Sequence, residues 1–338
     1  MATFRSGEVI EILGERAGLQ RLAVRLPEGD ARAYSLTALT GSCSVGDRVV
    51  LNTTAVDLAL GTGGWHIVHW NLELDELHVP GPDHVMKLRY TSLQFDAGTS
   101  ELANPSCDDP LGGAPVVACS VHSQVPVVAA AFADAAPDRR LVYVMTDGAA
   151  LPLALSDLVV ELTEHGLLAG TVTAGNAFGG DLEAVGVPSA LGLAVHALHA
   201  DAVVVGMGPG VVGTGTRSGT TALEAAPVLD AAELLGGTPV LCVRASSGDE
   251  RGRHLGISHH TESICRLTRA RPFVAPVPPE VVALPGVRVV EPTEQPEPAE
   301  LLSRHGLRVT TMGRTVEQDP TFFASAAAAG HLCAQLLP

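Results

Sequence analysis

The stretch Ala202-Val203-Val204-Val205-Gly206-Met207-Gly208-Pro209-Gly210-Val211-Val212-Gly213-Thr214-Gly215-Thr216 decides how the chain is read. Its first six residues are apolar with no polar alternation, which predicts a strand buried on both faces of a parallel sheet. A glycine-rich loop follows, and then the Ala- and Leu-rich segment 220–235, which has the character of a crossover helix. The same succession recurs along the chain. Apolar runs at 115–121, 141–145, 168–173, 239–243 and 273–277 each precede a loop, and segments 153–165 and 189–199 read as further helices. This is an α/β pattern: a doubly wound, mostly parallel sheet with helices on both faces. Residues 287–290 and 307–311 are expected as edge strands flanking segment 298–305. Residues 320–337 are expected as a terminal helix, whose Ala326–Ala329 run permits close packing.

Upstream the texture differs. Short β-rich runs at 8–13, 22–26, 47–52 and 65–72 are separated by Gly, Pro and Asp turns, with no helical period. They predict a small antiparallel β-barrel or sandwich. The expected organisation is a β-rich domain at 1–95, a linker at 96–114 and a three-layer α/β domain at 115–338.

Composition narrows the classes of function. The 338 residues are 46% hydrophobic and 17% charged, with a mean hydropathy of +0.26. That is enough apolar surface for a sizeable core and excludes intrinsic disorder. A formal net charge of -16, from 21 Lys plus Arg against 37 Asp plus Glu, opposes nucleic-acid binding over a broad surface. Lys87 is the single lysine, so Schiff-base and P-loop lysine chemistry is excluded everywhere else. The 6 cysteines form no Cys-x-x-Cys pair, which argues against a zinc ribbon or a thioredoxin-like motif. The longest apolar stretch, 190–212, is interrupted by His196, His199, Asp201 and Pro209, so no membrane span is expected. The amino terminus lacks a secretory-type hydrophobic region, and a cytoplasmic location is the corresponding expectation. The charge balance and the apolar β-rich front are compatible with a homo-oligomer.

Ligands of open parallel sheets bind beyond the carboxyl ends of the strands. The loops there carry Ser120-Val121-His122-Ser123-Gln124, Thr146-Asp147-Gly148, Asn176 before Gly179-Gly180, the glycine loop 206–219 and the polar segment 244–260. Six glycines in the loop uncover backbone amides, and its threonines add hydroxyls, which suits a phosphate or carboxylate. Gly208, Gly210, Gly213, Thr214, Gly215, Thr216 and Asn176 are therefore the binding candidates. No acid ends the next strand, which runs into Val243-Arg244, so a dinucleotide fingerprint lacks its support. His122, Asp147, His259 and His260 are the candidates for acid, base or orienting roles. Neither a metal nor a cofactor is specified by these spacings. Segment 246–254 is read as a solvated loop or as a lid carrying Arg251 and Arg253 over an anion, and His196 and His199 are read as structural.

Four of these motifs in order resemble a bacterial, largely actinobacterial family, domain of unknown function 3866. They are Ser120-Val121-His122-Ser123-Gln124; Met145-Thr146-Asp147-Gly148-Ala149-Ala150-Leu151-Pro152; Gly208-Pro209-Gly210-Val211-Val212-Gly213-Thr214-Gly215-Thr216; and Gly256-Ile257-Ser258-His259-His260-Thr261. The resemblance spans nearly the whole chain and implies a cytosolic bacterial protein, without implying an activity. The residues themselves point to an enzyme of hydrolase or transferase type acting on a small anionic or phosphorylated metabolite. The alternatives are a non-catalytic nucleotide or metabolite sensor or scaffold, and a tubulin-like nucleotide-binding assembly protein.

Overall fold

The computed structural model describes residues 2–60, 63–148, 152–295 and 297–338. The chain divides into two compact units, Met1–Gly98 and Thr99–Pro338. In the first, strands β1 (Phe4–Arg16), β2 (Leu19–Leu26), β3 (Gly29–Ser35), β4 (Arg48–Asn52) and β5 (Trp65–Asn71) close into a barrel in the order β1-β2-β3-β5-β4. Alternate residues point inward, so Val9, Leu22, Val24, Val49, Leu51 and Val68 fill its interior. All pairings are antiparallel except β3 with β5.

The second unit is built on eight strands: β6 (Pro115–Ala118), β7 (Leu141–Thr146), β8 (Gly170–Ala174), β9 (Leu182–Ala184), β10 (Ala202–Met207), β11 (Thr238–Leu241), β12 (Phe273–Val274) and β13 (Arg288–Val289). They form one all-parallel sheet ordered β9-β8-β7-β10-β6-β11-β12-β13. The central strands are buried on both faces, as their uninterrupted Val, Leu and Ala content requires. Leu141, Tyr143 and Met145 pack into a cluster with helices α1 (Val125–Ala135) and α7 (Pro320–Gln335). Val142 and Val144 pack into the opposite cluster with α3 (Val187–Gly192) and α4 (Ala225–Leu234). Helices α2 (Asp157–Glu164) and α6 (Pro298–Arg304) join the first layer, and α5 (His259–Leu267) the second. The Ala326–Ala329 run does bring α7 close to α1: a Cβ on Gly330 would collide with the Val128 carbonyl.

Two expectations are corrected, and one strand is additional. Residues 307–311 form no strand; Leu307 and Val309 bury their side chains in the helical layer, and Thr311 closes a tight turn with Arg314. An edge strand forms instead at β9, too short and too charged at Glu183 to stand out as an apolar run. Residues 99–114 belong to the second unit rather than to a free linker: Ser100 N donates to Glu183 O at 2.8 Å, and Cys107 is buried in the core.

The chain steps outward from β6 to β9, returns to insert β10 between β7 and β6, and then continues on the far side with β11. Its direction thus reverses around β6, and crevices at such reversals open at the carboxyl ends of the strands. The glycine loop leaves β10 there, and Arg244 follows β11 one strand away.

Candidate functional site

The loops after β10 and β11 enclose a pocket of about 150 Å³, lined by Val211, Gly213, Gly215, Thr220, Arg244, Arg251, Arg253, His254, His260 and Met312. The lining holds three arginines and two histidines and no carboxylate. Its position follows from local sequence. Ser258 caps α5, its Oγ accepting from His260 N at 3.2 Å, which fixes His259 and His260 in the first helical turn. Ala245–Ser246 pairs with Gly256–Ile257, folding the intervening residues back as a hairpin that carries His254.

That hairpin is anchored, not loose. Asp249 is buried and receives both forks of Arg251, at 2.8 and 2.7 Å, and Arg314 at 3.2 Å. These hydrogen bonds hold its carboxyl well below the usual carboxylate range. Arg314 also reaches Asp319 at 3.0 Å, and Asp319 accepts from Ser246 Oγ at 2.6 Å and from Ser247 N at 2.9 Å.

Arg244 differs from its neighbours. Its residue is 4% exposed, and its guanidinium makes one hydrogen bond, from Nη1 to His260 Nδ1 at 2.9 Å. Among the described residues no carboxylate lies within ion-pair distance of it. A guanidinium has five N–H donors, so most of its donor capacity is left toward the pocket it lines. Burial brings its pKa down to about 10.

The rings of His254, His259 and His260 pack with centroids 4.5 to 4.9 Å apart. Burial first, then the neighbouring arginines, hold His254 at about 4 and His260 at about 3, so both are neutral near pH 7. His259 is lowered as well, by burial and then Arg253. It does not line the pocket, and its Nε2 is buried without a hydrogen-bond partner.

The other candidates sort into separate nodes. His122 has both ring nitrogens engaged, Nδ1 with Met207 O at 3.1 Å and Nε2 with Ser156 Oγ at 2.7 Å. It joins the end of β10 to the N-cap of α2. Asp147 Oδ2 accepts from Asn176 N at 3.0 Å and Asn176 Nδ2 at 3.3 Å, so these two engage each other at the ends of β7 and β8. Glu224 sits with them, accepting from Thr146 Oγ1 at 2.8 Å, and burial followed by the charge of Asp147 raises its pKa. Residues 149–151 of the second motif lie outside the described residues. Of the glycine-loop candidates, Gly213 and Gly215 line the pocket, while Gly208 and Gly210 do not. Thr214 and Thr216 bond each other at 3.0 Å and close the loop onto Gly219, so their hydroxyls shape the turn.

A family model described as protein of unknown function (DUF3866) matches residues 32–330. The chain belongs to the DUF3866 family. No curated protein and no solved structure gives a match. The match runs from β3 of the barrel through most of α7 and takes in every residue of the pocket. Within this DUF3866 chain, sequence reasoning named His259 and His260 but missed His254, Arg244 and Glu224. Arg244 carried a readable signal: a lone cation ending an apolar strand.

Proposed function

We propose that this protein is an enzyme of hydrolase or transferase type acting on a small anionic or phosphorylated metabolite, whose anionic group occupies the Arg244 pocket. One observation carries the reading. A buried guanidinium with no carboxylate paired to it costs several kcal/mol unless an anion completes it, and Arg244 faces a pocket lined by arginines, imidazoles and the glycine loop. At about 150 Å³ the pocket suits one anionic group, with the rest of the metabolite outside. His254 and His260 line the pocket and face a bound group directly, while His259 packs against both rings from outside it. The tubulin-like reading draws little support, because Thr214 and Thr216 spend their hydroxyls on each other.

The test is a calorimetric screen of small phosphorylated and carboxylated metabolites on wild type and Arg244→Met, followed by product detection for each compound that binds. The reading requires that a compound bind wild type, that Arg244→Met lose it, and that turnover fall in His260→Ala. Binding without turnover would turn the site into a sensor, and no binding would remove the anion pocket.

A further inference from the structure

We infer that the pocket recognises a phosphoryl group, a tetrahedral oxyanion, through neutral imidazole N–H donors locked in one tautomer and without a metal ion. This rests on the anion reading above and goes further by fixing the ligand class and the roles of His254 and His260.

The tautomers follow from the partners. A guanidinium only donates, so its bond to His260 Nδ1 makes that nitrogen the acceptor, and the neutral ring carries its hydrogen on Nε2. Ser258 Oγ is fully buried and accepts the His260 amide. Its own hydrogen has one acceptor within reach, His254 Nδ1 at 2.7 Å, so His254 also carries its hydrogen on Nε2. The three rings do bring nitrogen atoms within 4.8 Å of one another, a spacing that a metal can use. Yet a metal-bound imidazole donates its second N–H to a carbonyl or carboxylate. Here Arg244 and Ser258 impose the reverse polarity on two of the rings: the Nδ1 atoms of His260 and His254 already accept hydrogen bonds, which leaves their Nε2 atoms capped by hydrogen, and the Arg244 guanidinium stands beside His260.

What repels a cation attracts an oxyanion. Arg251 and Arg314 are spent on Asp249 and Asp319, which leaves Arg244 and Arg253 as the unpaired positive charge among the described pocket residues. Arg244, Arg253 and the two Nε2–H groups approach from the end of β11, the hairpin and α5. A planar carboxylate offers two oxygens in one plane, whereas a phosphoryl group offers three pointing in different directions to donors arriving from several elements. Neutral N–H donors suit a dianion without a proton having to be found for them.

Two measurements on the whole protein test this. Long-range proton–nitrogen NMR of protein labelled with ¹⁵N-histidine, at pH 7.5, reads each tautomer, with and without added zinc. The inference expects Nε2–H signals for His254 and His260 that zinc leaves unchanged. Ser258→Ala should release His254 from that tautomer, and Ser258→Thr should restore it. Calorimetry then compares inorganic phosphate with acetate. Phosphate should bind more tightly, and Arg244→Gln and the exposed-site variant Arg253→Ala should each weaken it by roughly 10- to 100-fold. Zinc shifting the His254 and His260 signals to the Nδ1–H form would overturn the metal-free site. Acetate binding as well as phosphate would overturn the phosphoryl assignment while leaving the anion reading standing, and binding of neither would remove both.

Discussion

His122 and the trio His254, His259 and His260 lie beyond the carboxyl ends of strands in the same parallel sheet, yet they are wired in opposite senses. The His122 ring is saturated: a carbonyl faces Nδ1, a capping serine faces Nε2, and the Tyr143 hydroxyl donates to Gly206 O at 2.9 Å beside it. The trio has a cation on one nitrogen and an orphaned nitrogen on another ring, and two of its rings, His254 and His260, line the pocket. Histidine at a sheet edge is therefore no guide by itself. A closed set of partners marks a structural joint, and an open, unbalanced set marks a candidate binding site.

The largest expected difference comes from breaking each node in turn. Arg244→Met removes a buried charge that has no carboxylate partner, so the ligand-free protein should hold or slightly raise its melting temperature. Its affinity for phosphate should fall by about 100-fold, as expected for charge-assisted hydrogen bonds to a desolvated anion. His122→Ala should do the reverse. It removes one of two partners from both Ser156 Oγ and the Met207 carbonyl and opens a void in a buried site, costing about 2–4 kcal/mol, or roughly 5–10 °C in melting temperature, with phosphate affinity unchanged. Thermal melts and calorimetry on the two variants decide the matter. If Arg244→Met melts well below wild type, Arg244 is a structural residue after all.

A smaller effect is expected from the hairpin. A Cβ on Gly248 would run into the Gln318 carbonyl, so Gly248→Ala must displace the hairpin from the segment bearing Arg314 and Asp319. Because His254 rides on that hairpin, phosphate affinity should drop by about 10-fold while secondary structure persists. Unchanged affinity would mean that the hairpin's anchorage does not position the pocket.

How far this contrast could be read in advance depends on the range of the physics involved. The parallel sheet was legible because burial on both faces imposes a local signature, and the run at 202–207 coincides with β10 (Ala202–Met207). The barrel was legible from alternation, although Gly29–Ser35, carrying Asp30 and Arg32, is too polar to announce a strand. The carboxyl-edge loops were legible as a set. Which of them would converge was not, because the insertion of β10 between β7 and β6 is a long-range pairing with no local trace. Thus His122 and His259 looked equivalent as letters beside serines. Only the partners separate them: Ser156 lies 34 residues from His122, and Arg244 lies 16 residues from His260. Arg244 itself was visible, but its presence was read as the lack of an acid for a dinucleotide rather than as a donor for an anion.

The smallest expected effect is a difference in slope with pH, and its sign can be worked out. An unfolded histidine titrates near 6.5, whereas burial holds His122 and His254 at about 4 and His260 at about 3 in the folded chain. Between these limits the unfolded chain binds protons that the native one refuses. Stability is therefore fully present above about pH 6.5 and is lost as pH falls toward 4. All three rings contribute without ligand. A dianion bound at the pocket changes this for two of them, because its charge favours protonation of His254 and His260 in the native state, while His122, saturated within its own node, is untouched. Saturating sulfate, a tetrahedral dianion that does not titrate in this range, should thus reduce the acid slope of the denaturation free energy without abolishing it, and His122→Asn should remove part of what remains. The check is urea denaturation from pH 7.5 to 4.5, with and without sulfate. A slope that bound sulfate leaves unaltered would place His254 and His260 outside the electrostatic reach of the bound anion, and the contrast between the two histidine nodes would then lie in hydrogen bonding alone.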